Sequence, residues 1–349
     1  MTASRRHVLR GATAVLAAPF LARTAWSQDA PIVLRLQHAL SPVANIHSHV
    51  LVPWAKRVEE ASGKKVRIDL YPTMQLGGSS RELYDQARYG VVDLVWTRLG
   101  RNVGVFPRTE IFELPFVASM SAVANCRAAQ SLLDSGLRND FQGVQVIGLC
   151  VSDGGVLHSS RPVQHAADIK ALKLGVPSPL AGDAIRALAG TAVAMPLPQV
   201  RDGLARKAIE GCLMPWEAAA PIKLHDYVRH HIEMPGNMAI SAEVFVLAMN
   251  KTRYDLMPAD VKKAIDANSG SVAAGIAGSM WDNRAAIAQE LARQRGNTIT
   301  TLDDGDAARW RKASEPAIQN WIRQAKDRGF DGEKLLADLK TAMTRYAAG

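Results

Sequence analysis

The densest set of side chains able to do chemistry is His225, Asp226, His230, His231 and Glu233. Imidazoles and carboxylates are metal ligands by type. Adjacent His230 and His231, however, point to different sides of any regular element, and Lys223 and Arg229 give the stretch the character of a solvated helix end. The second candidate is Cys212, a thiol with no histidine near it in sequence. A lone cysteine in a strand is ordinarily an inert small hydrophobe. No GxSxG nucleophile turn, GxxxxGKS/T phosphate loop, GxGxxG after a strand or HExxH helix occurs. The residue types therefore favour binding over catalysis, and neither a cofactor nor a metal is expected.

The elements that must position a ligand alternate from Pro31 onward. Ile32 to His38 and Val66 to Leu70 show the period of two expected of half-buried strands, with Arg67 and Asp69 opposite Val66, Ile68 and Leu70. Between them Val50, Leu51, Trp54 and Val58 recur at helical spacing up to Gly63, which makes one β-α-β unit. A helix over 80–89 leads into a strand over 91–96. A second run follows: strands over 172–176, 191–195 and 209–213, with helices over 180–188 and 199–207 between them. The spacing predicts a return strand over 244–249, then an Ala-rich helix from Pro258 to about Arg293. Unbroken, that helix reaches about 50 Å at ~1.5 Å per residue, and Gly270, Gly275 and Gly278 make an interruption equally plausible. Trp310, Trp321 and the set Leu335, Leu336 and Leu339 mark two C-terminal helices. The fold class is α/β in two lobes, each a β-sheet flanked by helices.

In such proteins the ligand sits outside the carboxyl ends of the strands, where loops from both sheets meet. The segments there supply the candidate ligand-binding residues: His38, Gly77, Gly78, Trp96, Thr97, Arg98, Asp153, Gly154, His158, Gly175, Pro177, Ser178, Met195, Met214, Trp216 and Glu217.

The 349 residues carry 42 Lys+Arg against 33 Asp+Glu, a formal charge of +9. A chain of this length exceeds the usual size of one core, in keeping with two lobes. The basic excess raises nucleic acid as a partner, but four arginines belong to residues 1–27. That segment has no acid, a twin-arginine pair at Arg5 and Arg6, an apolar run from Gly11 to Leu21 and a small-x-small site at Ala25-Trp26-Ser27. It reads as a signal peptide for twin-arginine export; the apolar run falls short of the ~20 residues of a membrane anchor. Without Arg5, Arg6, Arg10 and Arg23 the balance falls to 38 against 33, or +5, and the nucleic-acid reading loses its support. Cys126, Cys150 and Cys212 are too few for a disulfide-rich fold or a CxxC zinc site. One bridge, Cys126 to Cys150, and three free thiols stand as alternatives.

The sequence resembles the DctP-like substrate-binding proteins of TRAP (tripartite ATP-independent periplasmic) transporters. The resemblance runs through Trp54-Ala55-Lys56-Arg57-Val58-Glu59, Tyr71 to Gly77, Val91-Val92-Asp93-Leu94-Val95, Phe106-Pro107, Glu113-Leu114-Pro115-Phe116, Asp168 to Lys173, Ala208 to Gly211 and Met214-Pro215-Trp216-Glu217. It implies a periplasmic-binding-protein fold with a long helix bridging both lobes, and a periplasmic protein that closes around a small organic acid and delivers it to membrane subunits. The boundaries expected are 28–151 plus 241–279 for the first lobe, and 152–240 plus 280–349 for the second with the C-terminal helices. The hinge is expected near Val151-Ser152 and Ile240-Ser241.

One position departs from the family pattern. Where most of the family has an arginine that grips a carboxylate, this chain has Gly175. Arg98 is the expected replacement, with Arg101, His38, His158 and Arg161 as weaker candidates, so that Arg98→Ala should abolish carboxylate binding. The competing account is that Gly175 makes room for a bulkier ligand against an apolar wall of Trp216, Trp96 and Met195, which suits an aromatic or hydrophobic acid. The alternatives in function are an exported enzyme using Cys212 or the His225 to Glu233 cluster, and a sensor-type receptor on the same fold.

Overall fold

The computed structural model describes residues 30–347; the predicted signal peptide lies outside the described residues. The first run of alternation builds β1 (Ile32–His38), α1 (Val52–Ala61), β2 (Val66–Tyr71), α2 (Leu83–Arg88), β3 (Leu94–Arg98), α3 (Ala122–Leu132) and β4 (Val144–Val151). The second builds β5 (Gly155–Ser159), β6 (Lys173–Val176), α4 (Pro179–Arg186), β7 (Thr191–Ala194), α5 (Leu197–Ala205), β8 (Gly211–Pro215), α6 (Trp216–Ala219) and β9 (His230–Glu233). The chain then returns through β10 (Val244–Asn250), α7 (Lys251–Asp255), α8 (Ala259–Ala267) and α9 (Ser271–Gln294), and ends with β11 (Thr298–Thr301), α10 (Asp304–Asp327) and α11 (Gly332–Ala347).

Two sheets result, in the orders β2-β1-β3-β10-β4 and β11-β9-β5-β8-β6-β7. In the first, β10 is antiparallel to both neighbours and the other pairs are parallel. In the second, β5 plays that part between β8 and β9. Successive strand residues feed different apolar layers: Val95 and Val246 face one core of the first sheet, Leu94, Trp96 and Leu247 the other. Leu157 and Leu213 likewise oppose Val156, Cys212 and Met214 in the second sheet. Both faces of each sheet are thus covered, as parallel strands require.

Several expectations shift in detail. β3 begins at Leu94, because Asp93 turns its carboxylate back to the N–H and guanidinium of Arg35 (2.8 and 3.2 Å) and its carbonyl to Asn250 N–H. Arg98 is therefore the last strand residue instead of one beyond the strand. The strands β5, β9 and β11 were not anticipated, and His230-His231, read as next to a helix end, lie within β9. The long helix is interrupted at Asn268–Gly270, where Gly270 has φ +59° and its N–H reaches Ile147 O at 2.7 Å. Gly278, in contrast, does not break α9. A Cβ there would stand 3.0 Å from Val123 Cα, so glycine permits backbone contact between α9 and α3. Cys126, Cys150 and Cys212 are buried free thiols.

Two helices tie the lobes. α9, about 36 Å long, packs on α3 and β4 of the first lobe and on α6 and β11 of the second. α10 donates from Trp310 Nε1 to Ala184 O (2.7 Å) on the second lobe and from Trp321 Nε1 to Pro107 O (3.0 Å) on the first. Of the C-terminal segment grouped with the second lobe by sequence, α11 packs against α3 of the first. The chain itself crosses between sheets at Ser152–Gly154 and 240–243, where Ser152 N–H donates to Glu243 O (2.9 Å) and Gly155 N–H to Ser241 O (2.6 Å).

Asp282 on α9 caps α3, accepting from Ser121 Oγ (2.9 Å), Ala122 N–H (2.6 Å) and Val123 N–H (3.2 Å). A carboxylate at a helix N-terminus satisfies orphan donors and opposes the dipole. Asp282→Ala is expected to cost about 1–2 kcal/mol in urea unfolding; a change under about 0.5 kcal/mol would show that water replaces the cap.

Candidate functional site

The parallel strands of both sheets end at a common crevice, and there the side chains enclose a cavity of about 260 Å³. That is just below the roughly 300–1,000 Å³ usual for ligand sites, and it suits a small molecule. The first lobe contributes residues 39–40 and 44–46 after β1, the end of β3 through Arg101, Glu243 just before β10 and Phe245 on it. The second contributes Gly175–Pro177 at the end of β6, Met195 and Leu197 after β7, and Met214, Pro215, Glu217 and Ala218 at the β8–α6 junction. Trp281 reaches in from α9.

One wall is aromatic. Trp96 and Phe245 stack at 5.5 Å between centroids with 18° between planes, and Trp281 packs against both at 6.1 and 5.4 Å. Met195, Leu197, Val200 and Met214 form the facing apolar surface.

Four charged residues line this space: Arg98, Arg101, Glu217 and Glu243. Arg98 donates from Nη1 to Glu243 Oε2 (2.9 Å) and from Nη2 across the crevice to Pro177 O (2.7 Å). Burial opposes its charge, but Glu243 and Glu113 outweigh burial and hold its pKa above the ordinary value. Arg101 donates from Nη1 to Ser80 Oγ (3.0 Å). Burial and the neighbouring Arg98 lower its pKa. Glu217 accepts from Asn45 Nδ2 at 2.7 Å, a second contact across the crevice. Burial raises the pKa of Glu217, and burial raises that of Asp153 behind it well above the carboxylate range. Asp153 Oδ2 accepts from Glu217 N–H at 3.3 Å, while Oδ1 has no partner among the described residues. Glu113, buried beneath Arg98, is pushed up to about 7 by burial, against the pull of the Ser178 hydroxyl of the second lobe and of Arg98. Gly100 makes room for it, since a Cβ there would overlap the Glu113 carboxyl.

Of the residues expected at the site, Trp96, Thr97, Arg98, Gly175, Pro177, Met195, Met214 and Glu217 line the cavity. The others stand behind it. His38 is buried, bonded to His47 (2.9 Å) and to Leu40 N–H (3.1 Å), with its pKa lowered to about 4 by burial and His47. Gly77 and Gly78 form a left-handed turn whose Gly77 carbonyl accepts from Gln37 and Gln86. Gly154 packs against Ala239 and Met120. His158 shares a 2.7 Å hydrogen bond with His231, and Trp216 donates to Glu233 Oε1 at 2.7 Å. Ser178 caps α4. At Gly175 a Cβ would lie 3.1 Å from Ile209 Cδ1, so the missing side chain faces protein as well as cavity. Arg161 pairs with Glu210 at 3.3 Å and does not line the cavity.

Sequence reasoning did not select Asn45, Ser80, Glu243, Phe245 or Trp281. The signal nearest to a clue was Phe245 on the return strand, whose neighbour β3 is distant in sequence. The His225 to Glu233 cluster disperses: His231 turns to His158 and Asn297, His230 to Thr298, and Glu233 to Trp216 and Gln289. Burial drives the Cys212 thiol pKa far up, so its thiolate is suppressed.

A family model of bacterial extracellular solute-binding proteins, family 7 (DctP), matches residues 36–324. A TRAP solute-binding protein of a marine metagenome, specific for aromatic acid ligands and crystallised with 3-hydroxybenzoate, is 34% identical; the match covers 90% of this chain and 99% of that one, with a TM-score of 0.85. A TRAP solute-binding protein from Rhodoferax ferrireducens, holding copurified benzoate, is also 34% identical over 91% of this chain and 99% of its own, with a TM-score of 0.84. TsaT of Comamonas testosteroni, described as an outer membrane transporter protein, is 27% identical over 321 residues, 89% of this chain and 91% of the relative. Two sheets converging on one cavity, and a match that takes in both of them, leave a single conclusion: the chain belongs to family 7 of the bacterial extracellular solute-binding proteins, as a DctP-like TRAP solute-binding protein.

Proposed function

We propose that the protein binds a small aromatic monocarboxylate between its lobes and hands it, without catalysis, to TRAP membrane subunits from the periplasm. The observation that carries the reading is one small cavity in which an aromatic wall of Trp96, Phe245 and Trp281 adjoins two arginines. Relatives 34% identical that hold 3-hydroxybenzoate and benzoate support the same ligand class. Export through the twin-arginine signal of residues 1–27 fits this location, and no described helix is long and apolar enough to cross a membrane. The enzyme alternative finds no support in a buried Cys212 and a dispersed histidine cluster.

Transport requires closure, and a ligand favours the closed state only by the extra contacts it makes there. The bonded crossing segments at Ser152–Gly154 and 240–243 are the hinge in this reading. The contacts Arg98 to Pro177 and Asn45 to Glu217 join the lobes on closing.

The test is thermal unfolding of protein from the periplasmic fraction, with its mass starting at Gln28, in the presence of benzoate, 3-hydroxybenzoate or neutral benzamide. An aromatic acid at a hundredfold excess over Kd stabilises by about 2.7 kcal/mol and is recovered chemically unchanged. No shift with any aromatic acid, or conversion of the acid, overturns the reading.

A further inference from the structure

We infer that Arg101, and not Arg98, is the cation that receives the ligand's carboxylate, an inference that rests on the carboxylate reading of the site. The two arginines line the same cavity but differ in what already holds them. Arg98 has its positive charge matched by the Glu243 carboxylate at 2.9 Å and a second arm fixed on Pro177 O at 2.7 Å. To bind a ligand carboxylate in full it would have to share that charge with Glu243, and two carboxylates on one guanidinium repel each other.

Arg101 has no such partner. Its hydrogen bond goes to a neutral hydroxyl, Ser80 Oγ, and among the described residues no carboxylate lies within 4.0 Å of it. A guanidinium carries five donors in a planar fork that matches a carboxylate bidentately. A half-buried guanidinium with one neutral partner therefore has both the charge and the free donors for an anion. The charge balance of the lining agrees. Glu243 is bonded to Arg98 and reaches Arg101 only through space, and Glu217 is met by Asn45, with burial favouring its neutral form, so the lining's excess positive charge lies at Arg101, which has no carboxylate in contact.

Unpaired donors in the wall behind the cavity have the same sign. Trp96 Nε1 and Arg98 Nε, both on lining residues, are buried donors without a partner among the described residues. Unsatisfied buried donors call for acceptors, and a carboxylate is an acceptor only. Ser80 and Arg101 together form the anion end, with the ligand's ring against Trp96 and Phe245.

The experiment is calorimetry on wild-type protein, Arg101→Gln and Arg101→Lys with benzoate, 3-hydroxybenzoate, succinate and benzamide. Arg101→Gln should bind benzoate at least about 100-fold more weakly, the scale of a lost bidentate charge pair. Its preference for benzoate over benzamide should collapse to within about threefold, with the unfolding temperature of the ligand-free protein unchanged. Arg101→Lys should recover part of the affinity, because it keeps the charge without the fork. Benzoate affinity in Arg101→Gln within about threefold of wild type overturns the assignment. If wild type prefers succinate and Arg101→Gln loses it, the aromatic reading fails and Arg101 stands; if wild type binds none of the carboxylates, both fall.

Discussion

Arg98→Met is expected to lower stability by about 3 kcal/mol, the low end of the range for breaking a buried ion pair. The substitution keeps most of the apolar volume, so the loss is electrostatic. Glu243 stays at the crevice, with its side chain 16% exposed, and loses its countercharge. Glu113 below loses the same neighbour, and the bond that joins β3 to Pro177 of the second lobe disappears. The low end applies because both partners keep some contact with solvent, 13% and 16%. The decisive comparison is with Arg98→Met/Glu243→Leu. Replacing a buried pair by apolar side chains is often neutral, so the double variant should regain most of what the single one loses in urea unfolding at pH 7. A double variant as unstable as the single one would mean that the bond to Pro177, and not the charge pair, does the holding. Arg98 then has a positioning role at the site: it fixes Pro177 against the first lobe and keeps Glu243 from competing for a ligand's place at Arg101.

The second large effect concerns Glu113. Its pKa is pushed up to about 7, first by burial and next by the carboxylates Glu243 and Glu110, against the pull of Ser178 and Arg98. In the unfolded chain the group titrates near 4.5. Between those values the folded state binds a proton that the unfolded state has released, so stability falls as pH rises through this window. The shift corresponds to about 3 kcal/mol at pH values above both. Glu113→Gln keeps the size and shape of the side chain and removes the titration. The stability of this variant relative to wild type should therefore grow by about 3 kcal/mol from pH 4.5 to pH 8, read by urea unfolding at several pH values. A difference that stays constant across that range would falsify the assignment of the pH dependence to Glu113.

How the site was and was not legible follows from these residues. Trp96, Thr97 and Arg98 were readable because a strand preceded them and ligands gather at strand ends, a rule that needs only local periodicity. Met195, Met214 and Glu217 were readable in the same way. His38, Asp153, His158 and Trp216 obeyed that rule too, yet their side chains turn to the protein, to His47, Glu217, His231 and Glu233. One residue's step along a strand or turn reverses the face a side chain presents, and no neighbour in sequence reports which face is wet. The long helix showed the same limit: its glycines were visible, but only packing decided that Gly270 stands in the break before α9 and Gly278 admits Val123.

By itself, then, the sequence determined the alternating elements, the two lobes, the strand-end placement of a site and the absence of an arginine at position 175, because each is written in periodicity, punctuation or residue identity over a few neighbouring positions. Tertiary structure alone decided which arginine is paired with a carboxylate. Glu243 is 145 residues from Arg98 and meets it only because β10 returns antiparallel beside β3. Pairing of charge depends on distance in space, and a chain's order does not state that distance until the sheet has formed.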